Sequence, residues 1–404
     1  MRIAVVGGGA AGCFCAINAA RRLPEAEITL YEAGPKLLAK VAVTGGGRCN
    51  ITNTFRDVTR LGEAYPRGEQ LMKRALRVFS QEDTLRWFEA EGVRFVVQED
   101  QCIFPESQDA MQIVRTLERC LRKAGVRVRC GAAVERIAAL PDGGFGVEIR
   151  DQVGEDVYDR VLVAVGGTSQ EKLRRLLPTD LELTPCVPSL YTLKVPDEGL
   201  RALMGTVVEH AALSLAGTKF RSEGTLLLTD WGVSGPATLR LSSYSARHLA
   251  ENGYSGTLLV NWLAATEAEA REWIASTAAA SPRKQAAGTP PEGITARLWR
   301  HLLSRAGLRE DLRWAELGGK GAARLAATLT ADAYPVAGRA RFKEEFVTCG
   351  GVALSCIDIN TLESKAHPGL FFAGEALDVD AVTGGFNLQA AWSTGFTAAC
   401  SLAR

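Results

Sequence analysis

The beginning of the chain constrains its fold most. Residues 2–6 (RIAVV) form an apolar run of the length of a buried strand, and Gly7-Gly8-Gly9-Ala10-Ala11-Gly12 follows at once. This is a GxGxxG pattern at the mouth of a helix predicted over Ala10–Leu23, which Pro24 ends. A second strand is predicted over 27–31 (EITLY), and Glu32 closes it, 20 residues beyond Gly12. Strand, glycine turn, helix, strand and acid in this register form a βαβ unit that binds a dinucleotide. Gly7 permits the tight turn, Gly9 lets the main chain approach a pyrophosphate, and Gly12 lets the helix lie close to the strand, while the helix N-terminus offers amides and a favourable dipole. Glu32 would accept from ribose hydroxyls, which suits a free 2′-OH and favours FAD or NAD over NADP. The plain alternative is a glycine-rich turn with no ligand.

Composition removes other classes. With 47 Lys+Arg against 46 Asp+Glu, the net charge of +1 argues against a protein built to coat nucleic acid or an anionic membrane. A chain of 404 residues has room for about two or three domains. The ten cysteines form no CxxC pair and the four histidines are scattered, so no metal site is expected and the thiols read as reduced and buried. Cys13 and Cys15 face different sides of the first helix and are no dithiol. The apolar stretch Val5–Ala20 is laced with glycine and contains Asn18, so it reads as neither signal peptide nor membrane span, and a cytoplasmic protein is expected.

Along the chain, two amphipathic helices are predicted over 69–92, a strand at 93–97, a helix at about 109–124 and a strand at 126–130. A three-stranded meander follows from 133–139, 144–150 and 156–165. From about 186, short strand-like runs (188–195, 206–215, 225–229) alternate with turns, a helix starts near Pro236, and a strand lies at 256–260. Residues 265–328 read as helical, broken by 281–293 (SPRKQAAGTPPEG). Strand-like segments return over 345–373, and a last helix runs from about Leu388 to Leu402.

The second half decides between the dinucleotides. Residues 161–167 (VLVAVGG) are an apolar strand ending in a glycine pair, and 369–389 (GLFFAGEALDVDAVTGGFNLQ) combine another apolar strand, Gly-Glu, an acidic turn and a glycine pair before the last helix. In the loop 44–53 (TGGGRCNITN), three glycines let the main chain lie flat against a planar ring or turn its amides toward an oxygen, with Arg48 a fixed cation alongside. A glycine-rich surface loop is the alternative. Cys49 reads as a small buried thiol more than a redox group.

These segments resemble the BaiN/RdsA-like family of NAD(P)/FAD-dependent oxidoreductases, flavoproteins with a glutathione-reductase-like FAD domain. The resemblance extends over almost the whole chain and includes LTDWGVSGPA at 228–237, RLWRHLL at 297–303, VTCGGV at 347–352 and ESKAHPGLFFAGEALDVD at 363–380. It implies FAD contacts at Gly7, Gly9, Gly12, Glu32, Gly46, Gly47, Arg48, Cys49, Gly166, Gly167, Gly374, Glu375, Asn387 and Leu388. Ala11, Ala33, Thr44, Val134 and Asp380 complete the candidate set. Three features depart from the family pattern. Gly166-Gly167-Thr168-Ser169 runs almost directly to 185–193, Asp230 stands where relatives often have His, and Ala381 stands where they often have Gly.

The expected architecture is α/β: a discontinuous Rossmann-like FAD-binding domain over 1–185 and 345–404, an inserted β-rich substrate-side domain over 186–262 and 329–344, and a small helical subdomain over 263–328. The expected activity is that of an FAD-dependent oxidoreductase exchanging hydride between flavin N5 and an organic small molecule. The resemblance implies reduction of an activated C=C bond in a hydrophobic substrate, or oxidation of a small amine or ketone. No second GxGxxG occurs between 186 and 344, so NAD(P)H, if it is the reductant, docks transiently over the flavin. FAD is expected to be non-covalent, since no Cys or His lies in a flavinylation motif. No catalytic residue stands out: His210, His248, His301 and His367 read as surface or packing residues, Ser234 as the N-cap of the helix at Pro236, and Asp230 as an acid or a turn former. A flavin-binding structural protein without turnover is the rival reading, and an NAD-dependent dehydrogenase is a second.

Overall fold

The computed structural model describes residues 1–340 and 347–404. β1 (Arg2–Val6) is buried from Ile3 to Val6, as befits a strand covered on both faces. α1 (Ala10–Arg22) is buried without a break from Ala11 to Ala19, so it is an interior helix and not an amphipathic one. β2 (Glu27–Glu32) and α2 (Ala39–Gly47) follow, the latter leaving helical geometry at Thr44, Gly45 and Gly46. The loop expected from three glycines is thus the frayed end of a helix.

β3 (Thr52–Asn53), α3 (Leu61–Ala64), α4 (Glu69–Val78), α5 (Gln81–Ala90), β4 (Phe95–Val97) and β5 (Cys102–Pro105) come next. A capping box between Ser80 and Asp83 starts α5. β3, β5 and β4 make a small sheet, in which β3 and β5 are additions to the sequence reading. α6 (Ala110–Lys123) and β6 (Arg127–Cys130) lie where expected, and β7 (Val134–Ala139), β8 (Phe145–Ile149) and β9 (Glu155–Tyr158) form the meander.

The strand expected over 156–165 is two strands. β9 stops at Tyr158, and β10 (Arg160–Val163) joins a different, parallel sheet. Asp159 makes the break: its N–H donates to Arg2 O (2.9 Å) and its carboxylate accepts from Arg2 N (2.5 Å). α7 (Gln170–Leu176), capped by Ser169, fills what reads in sequence as an almost direct connection, and β11 (Leu183–Ser189) follows.

The chain divides into two compact units, Met1–Val187 with Phe346–Arg404, and Pro188–Glu345. The domain boundary expected at 344/345 lies outside the described residues. The second unit contains β12 (Leu193–Lys194), α8 (Glu198–Arg201), β13 (Val207–Leu215), β14 (Arg221–Leu228), β15 (Gly232–Ser234), α9 (Pro236–Tyr244), α10 (Ala246–Glu251), β16 (Ser255–Asn261), α11 (Glu267–Ala280), α12 (Ala296–Arg305), α13 (Gly318–Ala331) and β17 (Asp332–Ala337). Its sheet has the order β12-β15-β14-β13-β16-β17. Lys194 N donates to Gly338 O (2.9 Å) and Ala340 N to Thr192 O (3.0 Å), so the two edges meet and the sheet closes into a barrel.

The helices share the barrel's core: Trp299, Trp314 and Leu325 belong to the same buried cluster as Leu213, Leu258 and Trp262. The interrupting stretch 281–293 is held down as well. Ala286 N donates to Leu312 O (2.8 Å), and Ala286 O accepts from Trp299 Nε1 (2.7 Å).

The first unit resumes with β18 (Val347–Val352), which pairs with β11, then β19 (Leu370–Phe372) and α14 (Phe386–Leu402). Its main sheet has the order β19-β10-β1-β2-β6, with parallel pairing throughout. The strands' C-terminal ends therefore share one edge, and the order reverses beside β1, where an open α/β sheet forms its binding crevice. α14 and α1 pack together, Phe14 lying 5.3 Å from Trp392 and 4.7 Å from Trp87 between ring centroids. Among the described residues no helix is long and apolar enough to cross a membrane.

Candidate cofactor site

The turn after β1 has the steric logic of a dinucleotide fingerprint. A Cβ on Gly12 would fall 1.9 Å from Gly7 O, so only glycine lets α1 sit this close to the strand. A Cβ on Gly9 would meet nothing within 4 Å. That open space lies at the start of α1, where the first intrahelical bond is Cys13 N to Gly9 O (3.0 Å) and the amides of Ala10, Ala11 and Gly12 are left without intrahelical acceptors.

Glu32 borders the same turn. Its Oε2 accepts from Gly8 N (2.8 Å) and its Oε1 from Gly34 N (2.7 Å), so the carboxylate holds the fingerprint to the turn after β2 and keeps lone pairs for a ribose. Ala33 is exposed between these contacts. Ala132 N donates to Glu32 O (2.9 Å), which brings Val134, the first residue of β7, to the same corner. Glu32→Ala should weaken FAD binding by about 1.5–3 kcal/mol, and should also lower the melting temperature of the flavin-free protein, because two main-chain amides lose their acceptor. A fluorescence titration with FAD showing unchanged affinity would take Glu32 out of the site.

A second group gathers beyond β10 and β19. Gly166 and Gly167 follow β10, and Gly167 N donates to Glu375 Oε2 (2.9 Å). The Glu375 side chain is 19% exposed, and Lys40 Nζ approaches it to 3.7 Å. Burial raises the Glu375 carboxyl above the usual carboxylate range, with Lys40 and the Gly167 amide pulling the other way. Gly374 is fixed by its N–H to Thr394 Oγ1 (2.9 Å), and a Cβ there would lie 3.0 Å from that of Ala11. Fingerprint and Gly-Glu turn are therefore neighbours.

The third group joins the end of α2 to the start of α14. Gly46 and Gly47, both at positive φ, have open space where a Cβ would be. Thr44 O accepts from Cys49 N (2.9 Å) across the turn. Arg48 is a fixed cation, its Cζ 4.3 Å from the Phe104 ring centroid and its Nε donating to Gly45 O (3.2 Å). The hydrogen-bond network assigns the Asn50 amide so that its nitrogen donates to Thr52 O (2.9 Å) and its oxygen accepts from Gly385 N (3.1 Å). Asn53 Nδ2 donates to Gly384 O (3.1 Å) and Trp392 Nε1 to Ile51 O (3.0 Å). These contacts clamp the TGGGRCNITN segment onto α14.

Several expectations change here. α14 begins at Phe386, not Leu388, with Gly385 as N-cap, so the amides left without intrahelical acceptors are those of Phe386, Asn387 and Leu388. The Asn387 side chain accepts from Ala381 N (2.9 Å) and donates to Ala381 O (3.0 Å), so any ligand contact it makes runs through its main chain. Asp380 has 0% side-chain exposure and is ion-paired with Arg67, whose Nε donates to Oδ1 at 2.6 Å; such a carboxylate offers a ligand no surface. Ser234 ends β15, and Gly235 is the N-cap of α9. Asp230 is exposed in the turn between β14 and β15. The structure adds Lys40, Thr394 and Asn50 to these groups; Asn50 and Thr394 stand close to glycines in the sequence, whereas nothing local singles out Lys40.

Burial pushes the Cys49 thiol up to about 12, with a weaker opposing effect from Thr44. Iodoacetamide at about pH 8 should therefore spare Cys49 in the folded protein and label exposed Cys130. Peptide mass mapping reads both, and labelled Cys49 would restore it as a redox candidate.

Orphan amides at two helix starts, open space over Gly9, Gly46 and Gly47, and a carboxylate at the ribose corner together fit an FAD molecule. The comparisons agree. The model of the HI0933-like protein Rossmann domain matches residues 1–175, and that of the HI0933-like protein barrel and H2TH domain matches residues 187–347. The chain is 29% identical to the 3-dehydro-bile acid delta(4,6)-reductase of Clostridium scindens, over 98% of each protein. It is 28% identical to the ribosomal RNA dihydrouridine synthase of Escherichia coli, over 98% of this chain and 97% of that protein. The fold resembles that of 3-ketosteroid-delta4-(5alpha)-dehydrogenase from Rhodococcus jostii, with a TM-score of 0.52 at 14% identity, over 100% of this chain and 96% of that one. With both domain models matched in chain order and relatives matched from end to end, the chain belongs to the HI0933-like family of FAD-dependent oxidoreductases.

Proposed function

We propose that the protein reduces a carbon–carbon double bond conjugated with a carbonyl in a small organic molecule, using FAD with NAD(P)H as transient electron donor. The observation that carries this reading is the clamp between the TGGGRCNITN segment and α14, which leaves the amides of Phe386, Asn387 and Leu388 at the positive end of a 17-residue helix. FAD held there would supply the hydride chemistry. The amides at the helix start would favour negative charge on a bound flavin, and so its reduced state. Gly46 and Gly47 leave room for the ring, and Arg48, held over Phe104, adds positive charge.

The names of the two relatives support the reaction class. A delta(4,6)-reductase of a 3-dehydro bile acid and a dihydrouridine synthase both saturate a double bond conjugated with a carbonyl. The balanced charge of this chain, 47 Lys+Arg against 46 Asp+Glu, favours a small molecule over an RNA backbone.

The test is anaerobic. The purified protein should be yellow, NADH or NADPH should bleach it, and a 3-oxo-Δ4 steroid should restore the colour faster than uridine-containing RNA does. Faster reoxidation by RNA would move the substrate class. A yellow protein that neither nicotinamide reduces would favour a structural role for the flavin.

A further inference from the structure

We propose that Lys40 holds the diphosphate of the bound dinucleotide, a role outside every glycine motif of the chain and one that rests on the FAD reading above. The chain enters α2 directly over the fingerprint. Leu38 N donates to Gly8 O (2.8 Å), and Leu38 itself turns the backbone with a φ of +58°. Two residues later Lys40 Nζ stands 3.7 Å from Glu375 Oε2, with its side chain 57% exposed. Glu375 is tied to the strand ends through Gly167 N, and a Cβ on Gly374 would lie 3.0 Å from that of Ala11 in the first turn of α1. The amine thus stands at the Gly-Glu turn, which adjoins the first turn of α1, where the amides are orphaned and Gly9 leaves open space.

Charge explains why a cation is needed there. A diphosphate brings two negative charges to a rim that already carries Glu375 and Glu32. The α1 dipole contributes only about half a positive charge. Among the described residues Glu32 makes no ion pair, and Glu375 pairs with Lys40. At 3.7 Å, with the lysine side chain 57% exposed, that pair is loose. It leaves the ammonium donors available to phosphate oxygens.

FAD and riboflavin separate the two roles open to Lys40, because riboflavin has the ring and ribityl chain without the diphosphate. Flavin-stripped wild type, Lys40→Met, Lys40→Arg and, as a control, Lys36→Met on the same segment would be titrated with each flavin by fluorescence, with circular dichroism to check the fold. Lys40→Met should weaken FAD by about tenfold while leaving riboflavin within about twofold of wild type, and Lys40→Arg should recover most of the loss. Added salt should erode FAD binding more steeply in wild type than in Lys40→Met. FAD affinity within about twofold of wild type in Lys40→Met, or equal losses for both flavins, would overturn the proposal and make Lys40 a positioning residue for Glu375. Wild type that takes up no FAD would overturn the cofactor reading itself.

Discussion

Gly12→Ala should lower stability by about 3 kcal/mol and abolish flavin retention, whereas Gly9→Ala should keep the flavin-free melting temperature and lose only the flavin. The two glycines lie three residues apart in one motif and act through different physics. At Gly12 the added carbon would lie 1.9 Å from Gly7 O and 3.1 Å from Gly7 C, main chain against main chain, with no flexible side chain to yield. α1 would have to lift off β1, and since it is buried from Ala11 to Ala19 the shift would spread through the interior. At Gly9 the added methyl meets nothing and occupies the space a phosphate needs. Melting curves with and without FAD, together with visible absorbance after gel filtration, read both effects. A Gly9→Ala protein that stays yellow would mean the cofactor does not approach this turn.

Asp380→Ala should be the most destabilising single change near the site, at about 3–5 kcal/mol, because it removes a buried ion-pair partner from a guanidinium that is itself mostly buried. Arg67 is 11% exposed, and Asp380 is not exposed at all. Removing both partners should do less damage than removing one, so Asp380→Ala with Arg67→Met should melt above Asp380→Ala alone. The sequence reading made Asp380 a cofactor contact. A variant that melts like wild type yet sheds its flavin would vindicate that assignment and sink the structural one.

What was legible in the chain followed from local pattern. The buried run at 2–6, the glycine spacing and the acid at 32 specify β1, α1 and β2, because each depends on neighbours within a few residues. What was not legible depended on distant partners. Nothing near Asp159 announces that Arg2 will take both its main-chain and side-chain bonds and split the strand. Gln170–Leu176 is too short a helix to show periodicity after a glycine pair. Closure of the barrel needs Gly338 and Ala340 beside Lys194 and Thr192, a pairing that alternation within one strand cannot reveal. α14 starts at Phe386 and not Leu388 because Gly385, whose N–H is held by the distant Asn50, serves as its N-cap. Lys40 carries no local signal, because an exposed lysine on a short helix looks like any solvated charge.

The hydrogen-bonded closure of the barrel between residues 192–194 and 338–340 bears on how the polypeptide is made. The barrel's unit is one continuous stretch of chain, Pro188–Glu345, so it can fold as soon as it leaves the ribosome. The dinucleotide sheet cannot, since β19 begins 368 residues after β1 (370 − 2) and α14 comes later still. At about 5–20 residues per second, translation leaves α1 without its covering helix for on the order of a minute. The nascent chain thus carries a finished barrel and a half-built sheet whose apolar helix is exposed to chaperones and proteases. A ribosome stalled before Leu370 would release a folded insertion attached to an N-terminal region unable to take up flavin.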